Sequence, residues 1–257
     1  MSALLKLEKL TRAFGGLVAA NAVDFEVGSG QIVGLIGPNG AGKTTVFNMI
    51  GGTIPPSSGR ITFEGQDCTG FPSHKMAQLG VTRTFQITSL FPGLSALENV
   101  KIGTHRGKKS TFLGAFIRGG RYRREEGEVA AKAAEILAFL GMAHQADVLA
   151  QNLPYGDQRK LEIAVALAAD PKLLLLDEPA AGMNPDESRR LTIMIEAIRK
   201  RGISVLLVEH HMKVVMGVCD RIVVLNHGTK IAEGPPQVVA NDPTVISVYL
   251  GREKAHA

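Results

Sequence analysis

Long apolar runs are missing from these 257 residues. None approaches the roughly 18 residues needed to cross a bilayer, and the start, Met1-Ser2-Ala3-Leu4-Leu5-Lys6, lacks the longer apolar core of a secretory signal. The protein is therefore expected in the cytosol, with any membrane role exerted through a partner. Cysteine is scarce as well. Cys68 and Cys219 stand far apart in sequence without metal-ligand spacing, which reads as two reduced, structural thiols. There is no internal repeat and no low-complexity tract. What is present, 45% hydrophobic and 21% charged residues, suits one globular unit, or one domain carrying an inserted lobe, and argues against disorder.

Acids are absent from one stretch. Between Asn99 and Arg124 there is no Asp or Glu, while Lys101, Arg106, Lys108, Lys109, Arg118, Arg121, Arg123 and Arg124 all fall there. With eight of the 29 bases in this segment, the other 21 are outnumbered by the chain's 24 acids, so the net charge of +5 is a local property. The segment suits either a solvated insertion with no specific partner or a surface drawn to anionic lipid headgroups beside a membrane-bound partner. Nucleic acid is not expected, because Phe112, Phe116 and Tyr122 form no stacking pattern.

The chemistry centres on Gly37, Pro38, Asn39, Gly40, Ala41, Gly42, Lys43, Thr44 and Thr45, which follow the apolar run 31–36 and open into residues 46–50. The order is strand, glycine-rich loop, helix. Glycines let the chain turn tightly enough to aim several backbone N–H groups at one anion, and the helix adds its own unpaired N–H groups and positive dipole end. Lys43 supplies a cation for the β and γ phosphates, and the Thr44 hydroxyl is placed to ligate the accompanying Mg²⁺. This is a nucleoside triphosphate site. The loop alone does not choose among a kinase, a GTPase, a transporter motor and a DNA-repair ATPase.

Alternation predicts half-buried antiparallel strands at 5–10 and 23–27, with Phe14-Gly15-Gly16 between them. Phe14 suits either an adenine ring or the core. Further strands are predicted at 59–65 and 81–86. Helices are predicted at 96–102 and 128–140, the second with Val129, Ala133, Ile136, Leu137 and Leu140 on one face and Gly141 as its cap. Residues 161–169 read as a buried helix. Leu173-Leu174-Leu175-Leu176 and residues 203–208 read as strands inside a parallel sheet, separated by a helix with Leu191, Met194, Ile195 and Ile198 inward. Residues 222–232 make a closing hairpin around Asn226-His227-Gly228. Three buried strands thus end in polar groups, at Gly37, at Asp177 with Glu178, and at His210. In an open parallel sheet the ligand lies beyond the carboxyl ends of the strands, so these groups should converge. Asp177 would hold Mg²⁺ and Glu178 would polarise the water that attacks the γ-phosphate.

Over nearly its whole length the chain resembles the ATP-binding cassette of ABC transporters. Residues 37–45 match the Walker A loop, Gln86 the Q-loop, Leu153-Pro154-Tyr155-Gly156-Asp157 the signature motif, residues 173–177 Walker B, Glu178 the catalytic glutamate and His210 the switch histidine. Within that family, Arg83-Thr84-Phe85-Gln86, residues 177–185, Val208-Glu209-His210 and Tyr249-Leu250-Gly251 are similar to cassettes of branched-chain amino acid importers.

The resemblance implies an α/β P-loop NTPase fold with a RecA-like parallel-sheet core and an antiparallel β subdomain at 1–86 and 161–235. It also implies an inserted α-helical subdomain at 87–160 and an extension at 236–257. It implies ATP and Mg²⁺ as cofactors, Phe14 as the adenine-stacking aromatic, Gln86 as a link between Mg²⁺ and the membrane contact, and residues 181–184 as a dimer-facing D-loop. The partners implied are a second cassette, transmembrane permease subunits and, indirectly, a periplasmic binding protein, at the cytoplasmic face of the plasma membrane.

Another cargo, such as urea, amides or lipopolysaccharide, remains open, as does a non-transport ABC ATPase acting on ribosomes or nucleic acid. Two positions depart from the family pattern. Pro154 stands where the signature serine contributes a hydroxyl and an N–H, which weakens the γ-phosphate clamp, although a proline suits a first helical position. His211 stands where an aspartate usually follows the switch histidine.

Overall fold

The computed structural model describes residues 3–84, 90–104 and 120–250. In chain order the elements are β1 (Ala3–Phe14), β2 (Leu17–Gly28), β3 (Ile32–Ile36), α1 (Lys43–Ile50), β4 (Ser58–Phe63), β5 (Gln66–Asp67), α2 (Ser73–Leu79), β6 (Val81–Arg83), α3 (Ala96–Thr104) and α4 (Gly120–Phe139). They continue as α5 (Tyr155–Leu167), β7 (Leu173–Asp177), α6 (Pro185–Lys200), β8 (Ser204–Val208), α7 (Met212–Val218), β9 (Arg221–Asn226), β10 (Thr229–Gly234), α8 (Pro236–Ala240) and α9 (Pro243–Leu250). The chain divides into two compact units, Met1–Leu79 with Leu175–Ala257, and Gly80–Leu174.

In the first unit a small antiparallel sheet runs β2-β1-β4-β5. Leu5, Leu7 and Leu10 of β1 are buried, as the alternation requires, and Phe14 pairs with Leu17 across the Gly15-Gly16 turn. The larger sheet of this unit runs β10-β9-β3-β8-β7, with β3 parallel to both β8 and β9. Every residue of β3 and β8 is buried, which explains why neither strand alternates apolar with polar side chains. His227 and Gly228 take φ of 46° and 79°, the left-handed pair that a two-residue hairpin turn needs between β9 and β10. Cys68 and Cys219 are buried and free, and burial pushes their thiols up to about 11 and about 12, which fits inert packing residues.

The second unit is mainly helical. Ala133, Ile136, Leu137 and Leu140 are buried, and Gly141 caps α4 at φ 72°. This helix starts at Gly120, well before the expected residue 128, because residues 121–126 are charged apart from Tyr122 and carry no apolar stripe to announce them. Asn99 on α3 is buried; its side chain accepts from the Phe91 N–H and donates to the carbonyls of Phe91, Leu94 and Ser95, tying down the preceding loop.

Candidate functional site

Glycine is required at two points of the phosphate loop. At Gly37 (φ 149°) a Cβ would lie 2.2 Å from the Leu225 carbonyl oxygen, and at Gly42 (φ 96°) 2.3 Å from that of Ala19. Lys43, the first residue of α1, is buried, and its Nζ donates to the carbonyls of Gly37 (2.7 Å) and Pro38 (3.0 Å). Its ammonium is therefore folded over the loop. Gly42 caps α1 without a side chain, and no acid occupies the first turn, which leaves that turn's N–H groups without a carboxylate of their own helix. Thr44 is exposed and Thr45 half-buried in the same turn, while Asn39 and Gly40 are exposed on the loop.

Register brings the other strand ends to this edge. Leu35 of β3 pairs with Val208 of β8, and the Glu178 N–H donates to the Val208 carbonyl at 2.8 Å. Asp177 closes β7 half-buried, and the next residue, Glu178, takes φ 46°, a left-handed conformation rare outside glycine. The turn leaves the Glu178 carboxylate 47% exposed, with Oε1 3.7 Å from His210 Nδ1. Phosphate loop, Asp177, Glu178 and His210 thus meet on one rim.

In the sequence Glu209 figures only as the middle residue of Val208-Glu209-His210, with no role of its own. It is fully buried. Oε1 accepts from the Ala180 N–H at 2.8 Å, and Oε2 accepts from the N–H groups of His210 (2.8 Å) and His211 (3.0 Å). The His211 ring Nδ1 also lies 3.1 Å from Oε2. One carboxylate therefore fastens the segment after Glu178 to the segment that carries both histidines. An acid directly after five buried β8 residues is the signal that marks it.

Phe14 is 45% exposed, with the Arg12 guanidinium 4.7 Å over its ring, which excludes a core role. Gln86 lies outside the described residues, as do residues 105–119 of the basic segment and Gly251.

The signature segment belongs to the second unit. Leu153 is buried, and Pro154 stands at the N-cap of α5 rather than at its first helical position, with no side-chain cap. The helix itself begins at Tyr155, six residues before the expected start, since 155–160 are polar. Tyr155 is exposed, its hydroxyl 3.1 Å from Arg159 Nη2. Gly156 follows in the first turn. Burial would raise Asp157, but hydrogen bonds from Gln145 (2.8 Å) and Lys160 (2.7 Å) outweigh it and hold the carboxyl below its usual range. Glu162, one turn on, is driven the other way. Burial pushes it up to about 7 against the attraction of Arg159 at 3.0 Å.

The family model for ABC transporters matches residues 20–181, and a second, for branched-chain amino acid ATP-binding cassette transporters, matches residues 229–255. The chain is 43% identical over 249 residues to the high-affinity branched-chain amino acid transport ATP-binding protein BraF of Pseudomonas aeruginosa, covering 96% of this chain and 98% of that one. The same figures hold for LivG of Escherichia coli K12. Among solved structures, the ADP conformation of MJ1267, an ATP-binding cassette of an ABC transporter, superposes with a TM-score of 0.86 at 31% identity, covering 98% of this chain and all of that one. Fold, motif order and relatives agree: the chain belongs to the ABC transporter family and is one of its ATP-binding cassettes.

Proposed function

We propose that this chain is the ATP-hydrolysing subunit of an importer for branched-chain amino acids. The observation that carries the reading is the common rim: Glu178 and His210, 3.7 Å apart, stand at the strand edge that also bears the phosphate loop. In this assignment the backbone N–H groups of residues 37–45 and Lys43 hold the ATP phosphates, and Phe14 stacks on the adenine. Asp177, Thr44 and Gln86 would suit Mg²⁺, which takes oxygen ligands and is held by one or two carboxylates beside substrate phosphates; bound there, it would neutralise charge on the γ-phosphate. Glu178 accepts a proton from the attacking water, and His210 donates to the γ-phosphate and steadies Glu178.

The signature residues Leu153, Pro154, Tyr155, Gly156 and Asp157 close over the nucleotide of a second cassette, either another copy or a sister subunit. Permease subunits receive the motion, and a periplasmic binding protein delivers cargo to them, so the cassette works at the cytoplasmic face of the plasma membrane. Among the described residues no helix is long and apolar enough to cross it.

The test is reconstitution in proteoliposomes with permease subunits and a binding protein of a branched-chain amino acid importer. Leucine, isoleucine or valine on the binding protein should stimulate hydrolysis and drive ATP-dependent uptake. Stimulation by urea, an amide or a lipid instead of these three would overturn the cargo assignment.

A further inference from the structure

We propose that His210 and His211, together with the buried Glu209 carboxylate, form a binding site for a transition-metal ion of the zinc, nickel or copper(II) class, and that filling it stops hydrolysis. Ligand atoms of these three residues all lie within 4.8 Å of one another. His211 Nδ1 is 3.1 Å and His210 Nδ1 4.0 Å from Glu209 Oε2. A tetrahedral ion with bonds of about 2.0–2.2 Å sets its ligand atoms about 3.4 Å apart, between those two distances, so modest ring rotations close the set. The rings already lie side by side, centroids 4.3 Å apart and tilted by 35°.

Glu209 is held in place by the N–H groups of Ala180, His210 and His211, the kind of hydrogen-bonded carboxylate that orients a metal. The histidines are 49% and 40% exposed, which leaves the outer side of an ion to water. Two imidazoles and one carboxylate favour zinc-class ions over Mg²⁺, which demands oxygen ligands in octahedral geometry. The site is therefore distinct from the one proposed for Mg²⁺ at Asp177. It depends on His211, because a single imidazole beside Glu209 would be too few ligands. Coordination would draw His210 away from Glu178, and this inhibitory step rests on the roles assigned above to those two residues; the binding step does not.

Binding is read first, on the full chain without nucleotide, by titration with Co²⁺. Visible absorption bands of tetrahedral cobalt should appear and vanish when Zn²⁺ is added. His211→Gln and His210→Gln, with circular dichroism unchanged, should each weaken cobalt binding by at least the roughly 10–100-fold that loss of an outer-shell partner costs, since each removes a ligand. Hydrolysis is then followed at saturating MgATP, each protein scaled to its own metal-free rate. Zn²⁺ should abolish most of the wild-type rate, a zinc-selective chelator should restore it, and His211→Gln should keep most of its own. Absence of the bands, or a cobalt affinity in His211→Gln or His210→Gln equal to that of the wild type, would overturn the site. Bands without any effect of Zn²⁺ on the rate would overturn the inhibition. A wild-type protein that binds cobalt but hydrolyses no ATP without Zn²⁺, either alone or mixed with a sister cassette, would instead count against the proposed function.

Discussion

At Glu178 the backbone itself is informative. A non-glycine residue in the left-handed region costs of order 1–3 kcal/mol, and here the N–H bond to Val208 and the turn closed by the Ala181 N–H on the Glu178 carbonyl hold it there. That conformation lifts the carboxylate off the strand towards His210. Glu178→Gln keeps the shape and removes the base, so steady-state hydrolysis should fall by about 10²–10⁴. ATP should then accumulate in a stable dimer on size-exclusion chromatography; unaltered turnover would remove Glu178 from the mechanism. Glu162 makes a prediction about pH. Its folded pKa of about 7 lies above the unfolded value, so its favourable contribution is complete below the unfolded value and is lost as pH rises through about 7. Relative to the wild type, Glu162→Gln should therefore gain about 2–3 kcal/mol in urea unfolding between pH 5 and pH 8; equal pH dependence of the two would show that Glu162 ionises normally in the fold. The sequence exposes Lys43, Asp177 and His210 because their neighbours, glycines or unbroken apolar runs, announce a site. The role of Glu209, to hold backbone N–H groups, is encoded by no spacing of side chains, and only its place directly after a buried strand marks it. In the sequence Phe14 stays open between core and ligand because a lone aromatic beside glycines carries no information on exposure.

Helix ends divide the legible from the illegible elements. Helix α6 is fully signalled: Asn184 accepts from the N–H groups of Asp186 and Glu187, Glu187 returns a bond to the Asn184 N–H, Pro185 opens the first turn, and Arg199 and Lys200 sit at the negative end. Asn184→Ala should cost about 1 kcal/mol in denaturant unfolding, and a loss near zero would show that the cap is idle. The starts of α4 and α5 carry no such signals, since both begin in polar residues and show an apolar face only a turn or two later. At α5 the cap position is held by Pro154, which offers no oxygen to the first turn. Pro154→Ser restores a hydroxyl that either caps α5 or, in a closed dimer, meets the γ-phosphate of the partner site. Hydrolysis should hold or rise and nucleotide-driven dimerisation, followed by light scattering, should tighten. A collapse of both would mean that the proline's fixed backbone matters more than the missing hydroxyl.

On the scale of the whole molecule, the chain holds one phosphate loop and one signature segment, in different compact units. Differential binding of ATP to a closed two-chain state is the device that converts hydrolysis into motion of a membrane partner, because ligand binding shifts an equilibrium only by its preference for one state. If each catalytic site takes its loop from one chain and its signature from another, damage to the two parts is separable. Lys43→Ala removes the cation from the loop, and Gly156→Asp sets a carboxylate against the phosphates from the signature side. Each variant alone should be inactive, since every site in its dimer carries the same lesion. In an equal mixture half of the dimers pair the two variants, and each of these holds one undamaged site of two, so about a quarter of the wild-type rate should return. Recovery on mixing would identify two copies of this chain as a competent pair. A mixture that stays inactive, while either variant regains turnover with an intact sister cassette, would rule out the homodimer and assign the second half of the site to that sister.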